Sequence, residues 1–447
     1  MRIYLTSLGC KLNRAEMDDL AAQLARAGHQ IVASPAEADL SVLNTCAVTH
    51  VAAQKSRQAL RRLHRDNPGA RLVATGCYAE LSPGELEALP GVERVAGNAA
   101  KADLAALLGL DPAPSSTAGA SRPGPAALPR TRALVKIQDG CNNACTYCII
   151  HVARGPQRSR PADEVLAKVR ARLAAGHQEI VLTGVHVGAY GRDRGGAGPA
   201  AADSALDLWG LVRRILDETD VPRLRLSSIE PWDLAPGGGD DEAVAGAFAL
   251  WQNPRLCRHL HLPLQSGCDR TLARMGRHYT TAEFAALVAA ARAAIPDLAV
   301  TSDVIAGFPG ETEADFERSL AFVRDMALAQ VHVFPYSPRP GTPAAVMPDQ
   351  VPPPVRAERA RRLRQAAAEG ERAFRRRFIG RRVEVLWESS RPGDGAPLWN
   401  GLTDHYLRVE AAGPAGRDLR NTFDLVRIEE LSRRGLRGVR EDQKSGG

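Results

Sequence analysis

Three cysteines, Cys141, Cys145 and Cys148, stand in the segment Asp139-Gly-Cys-Asn-Asn-Ala-Cys-Thr-Tyr-Cys148, a C-x3-C-x2-C spacing. Iron–sulfur clusters are held by thiolates, and a cubane ordinarily takes four of them. Three close ligands therefore leave one iron open to an exogenous group. A zinc knuckle or a loose thiol cluster is the alternative, although zinc sites usually show C-x2-C pairs and a fourth Cys or His nearby. A second trio, Cys10, Cys46 and Cys77, is spread along the chain, and each member ends a predicted strand. In a parallel sheet the carboxyl ends of the strands share one edge, where ligands bind. The three thiols can therefore converge, with the small neighbours Gly9, Thr45 and Gly76 admitting a bulky group close to the backbone. Three separate buried structural cysteines are the alternative. Cys257 and Cys268 have no such context and read as ordinary thiols.

Strands and helices must alternate to carry these residues. Over 1–110 the pattern predicts strands at Arg2–Leu8, His29–Ala33, Asp39–Leu43 and Arg71–Ala74, with helices at Glu16–Ala27 and Lys55–His64. This is an α/β, flavodoxin-like parallel sheet. Residues 111–130, rich in Pro, Ser, Gly and Ala, read as a linker that cannot bury a core. From 131 to 375 the alternation resumes. Ala133–Gln138, Glu179–Thr183, Arg223–Ser227, His259–Pro263, Ala299–Ile305 and Gln330–Phe334 are six candidate strands of a partial (β/α)6 barrel. Such a barrel places its chemistry at the C-terminal strand ends. Gly195–Ala205 and Pro236–Gly246 read as surface insertions. Residues 376–434 read as a small C-terminal β-barrel, with strands at Arg381–Glu388, Asp404–Ala411 and Asn421–Ile428. A tail covers 435–447, frayed from Glu441.

The chain has 447 residues, 44% of them hydrophobic, and carries a formal net charge of +7. It has no run of eighteen apolar residues, so no membrane span or membrane partner is expected. The first residues lack the apolar core and cleavage site of a signal peptide. Eight cysteines without an export signal point to a reducing cytoplasm and to metal ligation rather than disulfides. Residues 355–382 hold eleven Arg and three Glu, a balance of +8. That concentration suits a phosphate-rich partner; a salt-bridged helix face is the alternative. His259 and His261 share one face of a strand and read as core histidines.

The chain resembles the radical S-adenosylmethionine (SAM) methylthiotransferase family. The resemblance rests on the Cys141–Cys148 segment with Tyr147, and on Ser7-Leu-Gly-Cys-Lys-Leu-Asn13, Asn44-Thr-Cys-Ala-Val-Thr49, Lys55-Ser-Arg-Gln58 and Thr75-Gly-Cys-Tyr78. Arg225-Leu-Ser-Ser-Ile-Glu-Pro231, His259-Leu-His-Leu-Pro-Leu-Gln-Ser-Gly267 and Phe334-Pro-Tyr-Ser-Pro-Arg339 extend it over about 1–430. These segments look like the branch that converts N6-threonylcarbamoyladenosine, 3′ to the anticodon of tRNA, into its 2-methylthio form. The branch acting on N6-isopentenyladenosine and the branch acting on an aspartate of a ribosomal small-subunit protein usually carry other residues around the first cysteine. A reading from another class is a non-catalytic iron–sulfur RNA-binding protein or redox sensor. His151 departs from the family's usual Pro after Cys-Ile-Ile.

The resemblance implies an N-terminal methylthiotransferase domain, a radical-SAM barrel and a TRAM-like RNA-binding domain. It implies two 4Fe-4S clusters with SAM as cosubstrate. Cys141, Cys145 and Cys148 would hold the catalytic, radical-generating cluster, and Cys10, Cys46 and Cys77 the sulfur-handling one. Gly184 would lie in the turn that binds the methionyl amine; a plain strand-to-helix turn is the alternative. Ser227, Ser228, Glu230 and Gln265, at further strand ends, would also meet SAM, and Asp303–Glu311 resembles the adenine-contacting segment. The partners implied are tRNA, an electron donor of the flavodoxin or ferredoxin type, and an unknown sulfur donor. A threonylcarbamoyl group carries a carboxylate that suits an arginine fork. Arg154, Arg158 and Arg160, just after the cluster loop, are the candidates, unless they merely cover the barrel surface.

Overall fold

The computed structural model describes residues 1–101, 103–110, 130–194, 206–234, 241–393 and 395–441. The expected linker (save residue 130), the insertion at 195–205, the start of the insertion at 236–246 and the tail beyond 441 lie outside these residues; the rest of the second insertion belongs to a helix, Asp241–Ala249.

The first 97 residues build five parallel strands: β1 (Arg2–Ser7), β2 (Gln30–Ile31), β3 (Leu40–Thr45), β4 (Arg71–Gly76) and β5 (Val92–Ala96), in spatial order 2-1-3-4-5. That is the flavodoxin-like order, whose ligand crevice lies at the carboxyl ends of the strands. The central strand β3 is buried throughout, as its run Leu-Ser-Val-Leu-Asn-Thr requires. The edge strand β5 was not anticipated, because Val-Glu-Arg-Val lacks a continuous apolar run. The first helix, α1 (Lys11–Arg26), starts directly after Cys10, five residues earlier than expected from periodicity.

The central domain has six parallel strands: β6 (Arg132–Lys136), β7 (Glu179–Thr183), β8 (Arg223–Leu226), β9 (His259–His261), β10 (Ala299–Ala306) and β11 (Gln330–Pro335). They form two three-stranded sheets, joined only by isolated bridges such as Ser228 to His261. A single core from Ala133 to Ala366 packs their outer faces against the helices. The expected partial barrel is present, with α1 closing its open side: Ala15 packs on Leu134 and Val181.

The C-terminal domain is a closed five-stranded barrel: β12 (Arg382–Arg391), β13 (Leu398–Thr403), β14 (Arg408–Ala412), β15 (Phe423–Leu431) and β16 (Leu436–Arg440). Three strands were expected. Leu-Trp-Asn-Gly-Leu-Thr hides β13, since Asn-Gly reads as a turn; a Cβ on Gly401 would stand 2.6 Å from the Leu386 carbonyl, so close strand approach explains the glycine. The tail expected from 435 is corrected: Leu436–Arg440 closes the barrel.

This domain docks at the N-terminal mouth of the central barrel. Arg223 donates to the Leu402 carbonyl at 2.9 Å, and Arg225 donates to the carbonyls of Thr403 and Asp404 at 3.0 and 2.9 Å. Tyr406, at φ +65°, stacks on His259 with centroids 4.7 Å apart, ringed by Lys11, Arg132 and Arg225. The helix Pro353–Arg376 runs beside β11. Much of its arginine charge is taken up within the protein: Arg359 pairs with Glu311 and Glu313, Arg362 with Glu313 and Glu317, and Arg377 and Arg381 with Asp297. For these residues the salt-bridged face is the correct reading.

Candidate active site

The loop bearing Cys141, Cys145 and Cys148 leaves the C-terminal end of β6. Gln138 sets its start. Its Oε1 accepts from the N–H groups of Val185 and His186, both at 2.9 Å, and its Nε2 donates to the Gly140 carbonyl at 2.6 Å. A Cβ on Gly184 would stand 2.8 Å from that Oε1, so the turn after β7 needs glycine for this approach. Farther along, the Thr146 hydroxyl donates to the Arg274 carbonyl at 2.9 Å, and the Cys148 N–H donates to Cys145 at 3.1 Å.

Each of the three thiols lies within electrostatic reach of another. Burial pushes the Cys148 thiol up to about 12, with Cys145 and Cys141 adding to the effect, and burial raises Cys145 as well. Such thiols are protonated at neutral pH until a metal displaces their protons. Arg277 lies beside Cys145, 3.6 Å from its sulfur, and its guanidinium pairs with Glu230 and stacks near Trp232 and Tyr279. His186 faces Cys141 from the other side. Burial alone would lower its pKa, but its 2.7 Å bond to the Asp233 carboxylate, helped by Cys141, raises it to about 9.

Cys10, Cys46 and Cys77 each follow a strand of the N-terminal sheet at its carboxyl edge. Burial pushes Cys46 up to about 11, and the charges of Cys10 and Cys77 both act on it. Gly9, at φ +91°, leaves room that a Cβ would close, 2.6 Å from the Cys46 sulfur. The Ser56 hydroxyl accepts from the Cys46 N–H at 3.1 Å and donates to its carbonyl at 3.0 Å. Each trio offers three thiols, a donor set that fits a cubane with one open iron. Among the described residues no three His, Cys, Asp or Glu side chains are gathered as a single-ion site.

Buried ion pairs join the two trios. Glu16 on α1 meets Lys101 at 2.6 Å, Lys136 at 2.8 Å and Arg154 at 2.8 Å. Arg154 also binds Asp139 at 2.9 Å and Asn13 at 2.6 Å. Arg154 is therefore corrected as a substrate-reading candidate. Its side chain is 1% exposed and fully engaged, clamping the loop of one trio to the loop of the other. Arg158 reaches the Arg154 carbonyl at 3.2 Å, and Arg160 lies 4.0 Å from Asp19.

A cavity of about 240 Å³ opens between the domains, walled by Val48 and Thr49 beyond Cys46 and by Tyr147, Cys148 and Ile149 of the cluster loop. Gln265, Asp303, Ile305 and Tyr336 complete its barrel side. Gln265, at φ +63°, turns the chain there while bonding to β10. The Ser227 hydroxyl is buried without a partner, Ser228 is half-buried beside it, and Glu230 is held by Arg277. His259 and His261 both bond to the Thr301 hydroxyl, as core histidines. Sequence reasoning did not single out Glu16, Gln138, His186, Asp233, Arg277 or Tyr406. Their only signal was a charged or polar residue inside an otherwise apolar element, or in a loop without periodicity.

Two family models match the chain: Uncharacterized protein family UPF0004 over residues 2–97 and the Radical SAM superfamily over 135–323. The threonylcarbamoyladenosine tRNA methylthiotransferase MtaB of Bacillus subtilis (strain 168) is 38% identical, covering 91% of this chain and 89% of its own. Its namesake from Thermotoga maritima is 35% identical, over 99% of this chain and 98% of its own. Among solved structures, the radical S-adenosylmethionine methyltransferase TsrM from Kitasatospora setae superposes with a TM-score of 0.52 at 16% identity, covering 77% of each chain, a likeness of fold alone. With relatives this similar along almost its entire length, the chain belongs to the radical SAM methylthiotransferase family.

Proposed function

We propose that this protein adds a methylthio group to C2 of N6-threonylcarbamoyladenosine, 3′ to the anticodon in tRNA, working in the cytoplasm with two 4Fe-4S clusters, SAM and a flavodoxin- or ferredoxin-type reductant. The observation that carries the reading is a cavity between the domains walled by Cys148 of one trio and by Val48 and Thr49, which closely follow Cys46 of the other. The target hydrogen sits on an sp2 carbon and is not acidic, so a general base has little leverage. One-electron chemistry would be what the bound cofactors supply, with SAM cleavage assigned to the Cys141–Cys148 site and sulfur handling to the Cys10, Cys46 and Cys77 site.

The side chains supply position and charge. Cys141, Cys145 and Cys148 would ligate the radical-generating cluster, and Cys10, Cys46 and Cys77 the sulfur-handling one. Gly184 with Gln138, and the strand ends at Ser227, Ser228, Glu230 and Gln265, would hold SAM at the C-terminal mouth. Arg277 and cationic His186 would offset the negative charge of a thiolate-ligated cluster. The terminal barrel lies at the opposite mouth. It would therefore grip parts of the tRNA remote from the modified base, orienting rather than reading it.

Mass spectrometry of tRNA nucleosides from a strain lacking the protein tests this. Loss of 2-methylthio-N6-threonylcarbamoyladenosine, with its precursor accumulating, is expected. An unchanged profile in a strain without a second such enzyme overturns the tRNA assignment.

A further inference from the structure

Arg339 lies on the loop after β11, where that loop bridges the two trios. The Ala344 N–H donates to the Thr146 carbonyl, inside the cluster loop, at 2.9 Å. The Ser337 hydroxyl accepts from the His50 N–H at 3.2 Å, at the start of the helix that follows Cys46. Between these anchors the Thr342 hydroxyl donates to the Arg339 carbonyl at 2.7 Å and fixes the backbone. The preceding residues Pro335, Tyr336 and Ser337 wall the interdomain cavity.

Arg339 differs from Arg277 and Arg359, whose Nε atoms are also buried without a partner but whose guanidinium groups pair with Glu230 and Glu311. Its Nε is buried without a hydrogen-bond partner, and among the described residues its guanidinium meets no carboxylate. Glu85, a carboxylate whose charge acts on it, is already engaged by Arg57 at 3.3 Å and by the Tyr78 hydroxyl at 2.5 Å. The charge of Cys46 also acts on Arg339. The Tyr336 hydroxyl, on the cavity wall, is likewise buried without a partner. Arg339 is partly exposed, and a guanidinium without a carboxylate partner is a fork of donors suited to a carboxylate or phosphate. By contrast Arg154 is fully occupied and Arg160 lies against Asp19.

We propose that Arg339 is the anion receptor of the substrate site, taking an anionic oxygen group of the tRNA at the gap between the two trios. This rests on the tRNA reading above. Two parts of the substrate present that chemistry: the carboxylate of the threonylcarbamoyl group and a backbone phosphate of the anticodon loop. The carboxylate is the one attached to the base that must reach the cavity.

The test is binding of cluster-loaded wild type, Arg339→Gln and Arg339→Lys to anticodon stem-loops with and without the threonylcarbamoyl group, iron content being matched. Weakening of about tenfold or more by Arg339→Gln on the modified stem-loop alone, partly restored by Arg339→Lys, assigns the carboxylate. Equal weakening on both stem-loops supports the receptor and assigns a phosphate. Unchanged binding on both overturns the proposal. Wild-type activity on the modified stem-loop is scored first. If it is absent, the tRNA reading fails; if it is present while Arg339→Gln binds normally, only the Arg339 assignment fails.

Discussion

Glu16 and Arg154 lie 138 residues apart in sequence, yet their buried side chains meet at 2.8 Å at the junction between the first and second domains. Burial alone would raise the Glu16 carboxyl; the charges of Arg154, Lys101 and Lys136 outweigh it and hold the pKa far below the carboxylate range. Glu16→Gln removes a carboxylate shared by three cations, leaves Lys101 without a carboxylate partner while Lys136 and Arg154 keep Asp139, and is expected to cost about 3–5 kcal/mol in denaturant unfolding. Because the folded pKa is depressed, the Glu16 contribution is complete above the unfolded value of about 4.3 and is lost only as pH falls below it. The gap between wild type and variant should hold from pH 5 to 8 and narrow in acid.

The two thiol trios predict an iron stoichiometry. Replacing Cys10, Cys46 and Cys77 together by Ala should remove roughly half of the reconstituted iron, and replacing Cys141, Cys145 and Cys148 should remove the other half. Full iron retention by either triple variant in a colorimetric assay would contradict the assigned ligand set.

Arg277 contacts Cys145 and pairs with Glu230 while almost completely buried. Arg277→Met should leave Glu230 without its partner, destabilise the central domain by about 3–5 kcal/mol and lower the reduction potential of the cluster there. Potentiometry followed by electron paramagnetic resonance reads the potential; a value equal to wild type would show that Arg277 only packs.

The raised pKa of His186 has a definite sign. A cation favoured in the folded state stabilises fully below the unfolded value of about 6.5 and is lost as pH rises through the folded value of about 9. The stability difference between wild type and His186→Gln, at most about 3 kcal/mol, should shrink across that window. A difference independent of pH would mean that His186 is neutral beside Asp233.

Tyr406 carries the docking of the terminal barrel, stacked on His259 among three cations. Tyr406→Ala should cost about 3–5 kcal/mol and loosen the junction. Faster hydrogen exchange in Arg223–Leu226 and Leu398–Thr403 checks it.

Local spacing and local periodicity are properties of the chain itself. The C-x3-C-x2-C run, the alternation of strands and helices, and the positions of Cys10, Cys46 and Cys77 at strand ends were legible for that reason, and with them the family and the three-part α/β architecture. Partnerships between distant residues were not. Nothing in the local sequence links Glu16, Lys101, Lys136, Asp139 and Arg154, and only folding brings them into one buried network. The same holds for arginines that look alike in sequence. Arg154 is consumed by the domain junction and much of the arginine helix by carboxylates on the barrel, whereas Arg339 meets no carboxylate among the described residues and its Nε has no hydrogen-bond partner. Whether a charge is spent on structure or kept for a ligand depends on what lies within a few ångströms of it, and that distance is set by tertiary packing alone.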